Sequence, residues 1–221
     1  MAGTRVRILL VRHGETVANL EGRWQGQTDS PLTERGRAQA RLLAQALEHE
    51  PLTAVFSSDL GRAMATAEQV ASAHGLVVQP ESRLRELNVG QWTGRNRAEI
   101  QAMDPEQWRL WAEQPAMARI SGGETLEAAQ QRALAFFDER MPAYAGRTVL
   151  VVTHGAVGQA VLIHAMGQSV QALWLEERLD NCQISRLEWD SETGLELIEL
   201  SDTRHLADVG SLRTWRTTDA A

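Results

Sequence analysis

The chain has 221 residues, enough for one sizeable core, and its 43% hydrophobic and 23% charged residues are those of an ordinary globular protein. All 22 basic residues are Arg, which excludes lysine Schiff-base chemistry and a P-loop lysine, and the net charge of −7 argues against broad nucleic-acid binding. The single cysteine, Cys182, leaves no internal disulfide and suits a reducing compartment. The opening MAGTRVRILLVRHG has only four apolar residues in a row, too few for a signal peptide. Nothing approaches the ~18 apolar residues of a membrane span, so a cytoplasmic protein without membrane partners is expected.

Residues 5–12, RVRILLVR, predict a buried strand. In LTERGRAQARLLAQALEHE, Thr33 is placed to cap a helix whose apolar residues recur at Ala38, Leu42, Leu43, Ala46 and Leu47. Residues 53–58, TAVFSS, predict a shorter strand. The next helix, in DLGRAMATAEQVASAHG, carries a stripe through Leu60, Ala63, Met64, Ala67, Val70 and Ala71, and Gly75 ends it. Residues 86–124 are Trp-rich and irregular, and predict a helical, lid-like insertion over one end of the sheet. GGETLEAAQQRALAFFDERM predicts a helix, RTVLVVTH (147–154) a second buried strand, and GAVGQAVLIHAMG another helix. CQISRLEWD and GLELIELS read as strands around the turn DSETG, and from about Asp208 the chain is expected to fray. This alternation predicts an α/β fold: a three-layer α/β/α sandwich, its central sheet mostly parallel with an antiparallel edge, helices on both faces.

ILLVRHG (8–14) and VLVVTHG (149–155) share one construction, a buried strand followed by His and Gly. In open α/β sheets ligands gather beyond the carboxyl ends of the strands. If these two strands are parallel neighbours, His13 and His154 emerge together there. Gly14 and Gly155 would then let backbone approach a guest, and the helix opening at Gly155 would offer free N–H groups to an anion. Either histidine alone could be an ordinary strand-end residue, and His49, His74, His164 and His205 are read so. Metal binding is the rival for a His pair, but no spacing supplies a third ligand, so neither metal nor cofactor is expected. Arg62 lies off its helix's apolar stripe, in the first turn, where a cation is unfavourable. It is either an exposed arginine paired with Glu15 or Asp59, or a bidentate fork for an anion. Glu86, in LRELNVGQW, stands where a strand gives way to a glycine-bearing loop; on its own it reads as a solvated carboxylate.

The stretch LLVRHGETVANLEGRWQGQTDSPLTERGRAQA resembles the amino-terminal signature of the histidine phosphatase superfamily, the phosphoglycerate-mutase-like proteins. SSDLGRAMATA resembles the family's second arginine motif, LRELNVGQWTG its glutamate motif, SGGETL its Gly-Gly-Glu helix entry and VVTHG its second-histidine motif, all in the family's order. LSDTRHL near the end also fits, so the resemblance runs over residues 5–206. It implies one domain over 1–207, with the insertion at about 86–124 and a tail at 208–221. It also implies a phosphohistidine mechanism without metal. His13 would be the nucleophile, Arg12, Arg62 and His154 the clamp on the phosphoryl oxygens, and Glu86 the proton donor and later base. Asn19 and Gln25 match positions that help hold the phosphoryl group in the phosphatase branch. Small phosphorylated metabolites are the implied substrates, and a homodimer is compatible with the sequence.

The same site serves mutases and phosphatases. Cofactor-dependent phosphoglycerate mutases carry Glu-Arg-His-Tyr-Gly with a following lysine, whereas this chain has Leu87 and Asn88 after the glutamate and no Lys. Arg95, Arg97 and Arg109 could replace those cations in part. The Trp-rich middle (Trp92, Trp108, Trp111) reads equally as an apolar mouth or as helix packing. The expectation is a phosphomonoesterase of broad specificity. Phosphoglycerate mutase, α-ribazole phosphatase and a sugar-bisphosphatase are the alternatives within the family. A non-catalytic phosphate binder, which loss of His13 or Glu86 would mark, is the alternative outside that class.

Overall fold

A computed structural model of the chain describes residues 5–173 and 179–209; the fraying expected beyond Asp208 falls almost wholly on residues outside these. The chain opens with β1 (Val6–Arg12) and a short α1 (Val17–Leu20), where Thr16 and Asn19 form a reciprocal capping box. α2 (Glu34–Ala46) begins at Thr33, whose hydroxyl accepts the Gly36 N–H at 2.9 Å. β2 (Leu52–Ser57) leads into α3 (Gly61–Ala73), which is followed by Gly75 at φ +64°. β3 (Val78–Pro80) is only three residues long and was not expected from the apolar pattern. Glu86 follows a single 3-10 turn, Ser82–Leu84, rather than a strand.

The insertion contains α4 (Arg97–Met103) and α5 (Pro105–Glu113), which meet at Asp104 with Pro105 starting the second helix. Then come α6 (Leu126–Arg140), β4 (Thr148–Thr153), α7 (Gly155–Ala165), β5 (Ile184–Asp190) and β6 (Gly194–Asp202). The six strands lie in the order β3-β2-β4-β1-β5-β6. β1 pairs in parallel with β4, and β2 with both β3 and β4. β5 pairs antiparallel with β1 and β6, so it alone runs against the others. The closing hairpin is the antiparallel edge that the sequence predicts.

Alternate residues of the strands point to opposite faces, and both faces are covered. Ile8, Leu10, Phe56 and Val151 pack with Ala133, Phe136 and Phe137 of α6 and Val157 and Val161 of α7. Leu9, Val11, Val55 and Val152 pack with Ala40 and Leu43 of α2 and Ala63, Ala67 and Val70 of α3. β4 is buried along its whole length, as a central parallel strand requires. Among the described residues no helix is long and apolar enough to cross a membrane.

Candidate active site

The in-register pairing Arg12↔Thr153 brings the carboxyl ends of β1 and β4 level, so the residues that follow, His13 and His154, emerge side by side. The His13 N–H donates to the Thr153 carbonyl at 3.0 Å, and the two rings meet edge-on with centroids 5.1 Å apart. Both rings are buried. His13 Nδ1 lies 2.7 Å from the Gly14 carbonyl, which can only accept, so Nδ1 carries the proton and Nε2 keeps its lone pair. That lone pair faces the Arg62 Nε–H at 3.2 Å. Burial, and then the cations Arg62 and Arg12, push the His13 pKa well below its ordinary value. His154 is lowered in the same way, by burial first and then by Arg62. Its Nε2 contacts the Ser58 hydroxyl at 2.8 Å, while Nδ1 has no hydrogen-bond partner among the described residues.

Arg62 is buried, and the pairing with Glu15 or Asp59 does not occur. Its Nη1 donates to the Thr28 carbonyl and its Nη2 to the Gly26 carbonyl, each at 2.8 Å, and Nη1 lies 3.4 Å from Asp29 Oδ1. Asp29 also accepts the Gly61 N–H at 2.7 Å and the Arg62 N–H at 3.3 Å, capping α3 from outside the helix. Glu15 instead accepts from the Thr33 hydroxyl, and Asp59 pairs with Arg85. Arg12 spends one Nη1 bond on the Leu179 carbonyl, and its Nε has no partner among the described residues. Enclosure lowers the pKa of both guanidiniums, yet arginine keeps its charge at any ordinary pH. Two cations and the neutral His13 imidazole thus line one space, while the neutral His154 ring packs beside His13 and is not on the wall of that space.

Gly14 and the start of α7 serve other ends than the sequence suggests, while Gly155 lines the cavity. A Cβ on Gly14 would stand 2.6 Å from the Gly36 carbonyl, so this glycine lets the β1 turn pack on α2 rather than on a guest. Gly155 lies against the Arg12 guanidinium, with its Cβ position 3.4 Å from Cζ. The group at the α7 N-terminus is the chain's own Glu86 carboxyl, whose oxygens accept the N–H groups of Ala156 and Val157 at 3.2 Å and of Leu87 at 2.8 Å. Glu86, 73 positions beyond His13, is thereby held at the start of the helix that follows His154.

These groups open into a cavity of about 500 Å³ that is lined by Arg12, His13, Arg62, Glu86 and Gly155, and also by Asn19 and Gln25. Asn19 uses its Oδ1 to accept the Thr16 N–H, and the buried Gln25 Oε1 has no partner among the described residues. The outer wall is Trp24, Trp108 and Trp111 with Leu87, Val89 and Ala112. Trp24 packs edge-on against Trp92 and Trp111 at 5.3 and 5.4 Å. Both readings of the tryptophans therefore hold: Trp92 is fully buried packing, and Trp108 and Trp111 face the cavity. Sequence reasoning missed Trp24, Ser58 and Asp29. Among the described residues no three His, Cys, Asp or Glu side chains are grouped so as to hold a metal ion.

Residues 8–203 match the family model of the histidine phosphatase superfamily, branch 1. The chain belongs to this superfamily. Among curated histidine phosphatase relatives, phosphoserine phosphatase 1 of Hydrogenobacter thermophilus is 34% identical over 203 residues, covering 92% of this chain and 95% of that one. The Yersinia pestis protein named probable phosphoglycerate mutase GpmB is 38% identical over 208 residues, covering 91% and 95%. Among solved histidine phosphatase structures, Bacillus stearothermophilus YhfR matches with a TM-score of 0.86 and 34% identity, covering 91% of this chain and 99% of that one.

Proposed function

We propose that this histidine phosphatase hydrolyses small phosphomonoesters, without a metal, through a phosphoryl group carried on Nε2 of His13. The observation that carries this reading is the pairing of a neutral, buried imidazole, its reactive nitrogen fixed as Nε2, with two guanidiniums around it. Arg12 and Arg62 bind the non-bridging oxygens, where negative charge gathers as the phosphoryl group moves, and the unpartnered Nδ1 of His154, a ring off the cavity wall, is assigned to them as well. Nε2 attacks phosphorus as the bond to the leaving oxygen breaks, and Glu86 gives that oxygen its proton. In the second half, Glu86 takes a proton from water, the water oxygen bonds to phosphorus and the N–P bond breaks. The products are inorganic phosphate, free His13 and a protonated Glu86. Asn19 and Gln25, which line the same cavity, are assigned to helping hold the phosphoryl group.

Hydrolysis is favoured over mutase chemistry by the residues after Glu86. The cavity wall presents Leu87 and Val89 where the mutase run has Arg and Tyr, which leaves an apolar surface beside the phosphoryl site. With Trp24, Trp108 and Trp111 this favours leaving groups with apolar or aromatic bulk, and broad rather than narrow specificity. Arg97 and Arg109 also line the cavity and are the observation on the mutase side. A panel of 3-phosphoglycerate, phosphoserine, sugar phosphates, α-ribazole phosphate and an aryl phosphate, with and without 2,3-bisphosphoglycerate, separates the two. Phosphate release from several esters without need of the bisphosphate is expected. Interconversion of phosphoglycerates that depends on the bisphosphate would contradict it.

A further inference from the structure

A proton donor must come within hydrogen-bond reach of the leaving oxygen, yet residues 85–89 around Glu86 belong to no helix or strand. α7 holds the carboxyl end of Glu86; its carbonyl accepts from Gln27 Nε2 at 3.1 Å and from one arginine of α6 that also binds the carbonyls before it. Arg132 Nη1 donates to the carbonyls of Arg83 and Arg85 at 2.6 and 2.7 Å, and Nη2 donates to the Glu86 carbonyl at 3.1 Å. The remaining donors form a bidentate pair with Glu124, Nη2 to Oε1 at 2.6 Å and Nε to Oε2 at 3.1 Å. Every N–H of the guanidinium is thereby spent. Glu124 completes the brace: its Oε1 accepts the Asn88 N–H at 2.9 Å, and its own N–H donates to the Asn88 carbonyl at 2.9 Å.

We infer that the Arg132–Glu124 pair positions Glu86, setting how closely its carboxyl meets the leaving oxygen; this rests on Glu86 being the proton donor. Neither member of the pair lines the cavity, and the guanidinium has no N–H left to offer a substrate. The pair is mostly buried, each side chain 22% accessible, and it satisfies the carbonyls of Arg83, Arg85 and Glu86. What it does is local. It ties the carbonyls of Arg83, Arg85 and Glu86 to one rigid fork on a 15-residue helix, and the Asn88 amide to the carboxylate paired with that fork. Lysine has the charge but only three donors and no planar fork, so it cannot make this set of bonds.

The test separates positioning of a proton donor from general support of the fold. Protonation matters for a basic alkoxide leaving group and little for p-nitrophenolate, and kcat/KM reports only the steps up to P–O cleavage. Arg132→Lys and Arg132→Met are expected to lower kcat/KM for an alkyl phosphate such as phosphoserine by about ten- to a hundred-fold. For p-nitrophenyl phosphate the same variants stay within about three-fold of the parent, and Glu124→Gln shows the same selectivity to a smaller degree. Equal losses on both substrates, or no loss on either, would overturn the inference. Glu86→Gln measured alongside keeps the two readings apart. If it lacks the leaving-group dependence, the proton-donor assignment itself fails; if it shows it and the Arg132 variants do not, only the brace fails.

Discussion

At His13 a single carbonyl decides which ring nitrogen reacts: Gly14 O accepts the Nδ1–H, and Nε2 is left to face Arg62. Burial and the two arginines keep this ring and that of His154 neutral where a free histidine would charge. The consequence for stability has a definite sign. Below about pH 6.5 the unfolded chain takes up protons at these two positions and the folded chain does not. Stability is therefore fully present above about pH 6.5 and falls as the pH drops below it, by up to roughly 1.4 kcal/mol per pH unit for each histidine. Urea unfolding at a series of pH values between 7.5 and 5.5 should show this slope, and His154→Gln should reduce it. A stability flat over that window would contradict the burial of both rings as neutral species. The motif around His13 was legible in the sequence because strand, His and Gly are adjacent. The tautomer was not, because it depends on where one backbone carbonyl points.

Two helix starts organise the site, and each is met by a carboxylate from elsewhere in the chain. Glu86 occupies the start of α7, and Asp29 caps α3 and holds the arginine in its first turn. An unfavourable cation at a helix start is thus offset by an aspartate that also orients it. Asp29→Ala should cost about 1 kcal/mol of stability, as loss of a cap does, and should also lower kcat by loosening Arg62. Asp29→Asn, which can still accept the Gly61 N–H, should recover most of the stability. Thermal unfolding and steady-state rates on the two variants check this; unchanged rates in Asp29→Ala would contradict the link to Arg62. The long elements were legible because apolar runs and caps such as Thr33 are local signals. β3 was not, since three residues ending in proline carry no periodicity. Nor were the partners of Arg62 and Glu86, which lie some 33 and 70 positions away and meet only through the sheet.

For the molecule as a whole, the net charge of −7 conceals a cationic pocket at one end of the sheet. The cluster of Trp24, Trp92, Trp108 and Trp111 ties the β1 side of the fold to the insertion and gives that pocket an apolar wall. Trp108→Ala should raise KM for naphthyl phosphate by about ten-fold, the worth of an aromatic contact, while inhibition by inorganic phosphate changes little. Equal weakening of both would place Trp108 in the fold rather than at the substrate. All these elements converge on one atom, and rapid quench into alkali with labelled phosphomonoester tests it most directly. The expected result is an acid-labile, alkali-stable phosphoryl group on the peptide containing His13, attached at Nε2, and absent from His13→Ala together with the activity. A His13→Ala variant that keeps most of its phosphatase activity, or label that settles on another residue, would contradict the account.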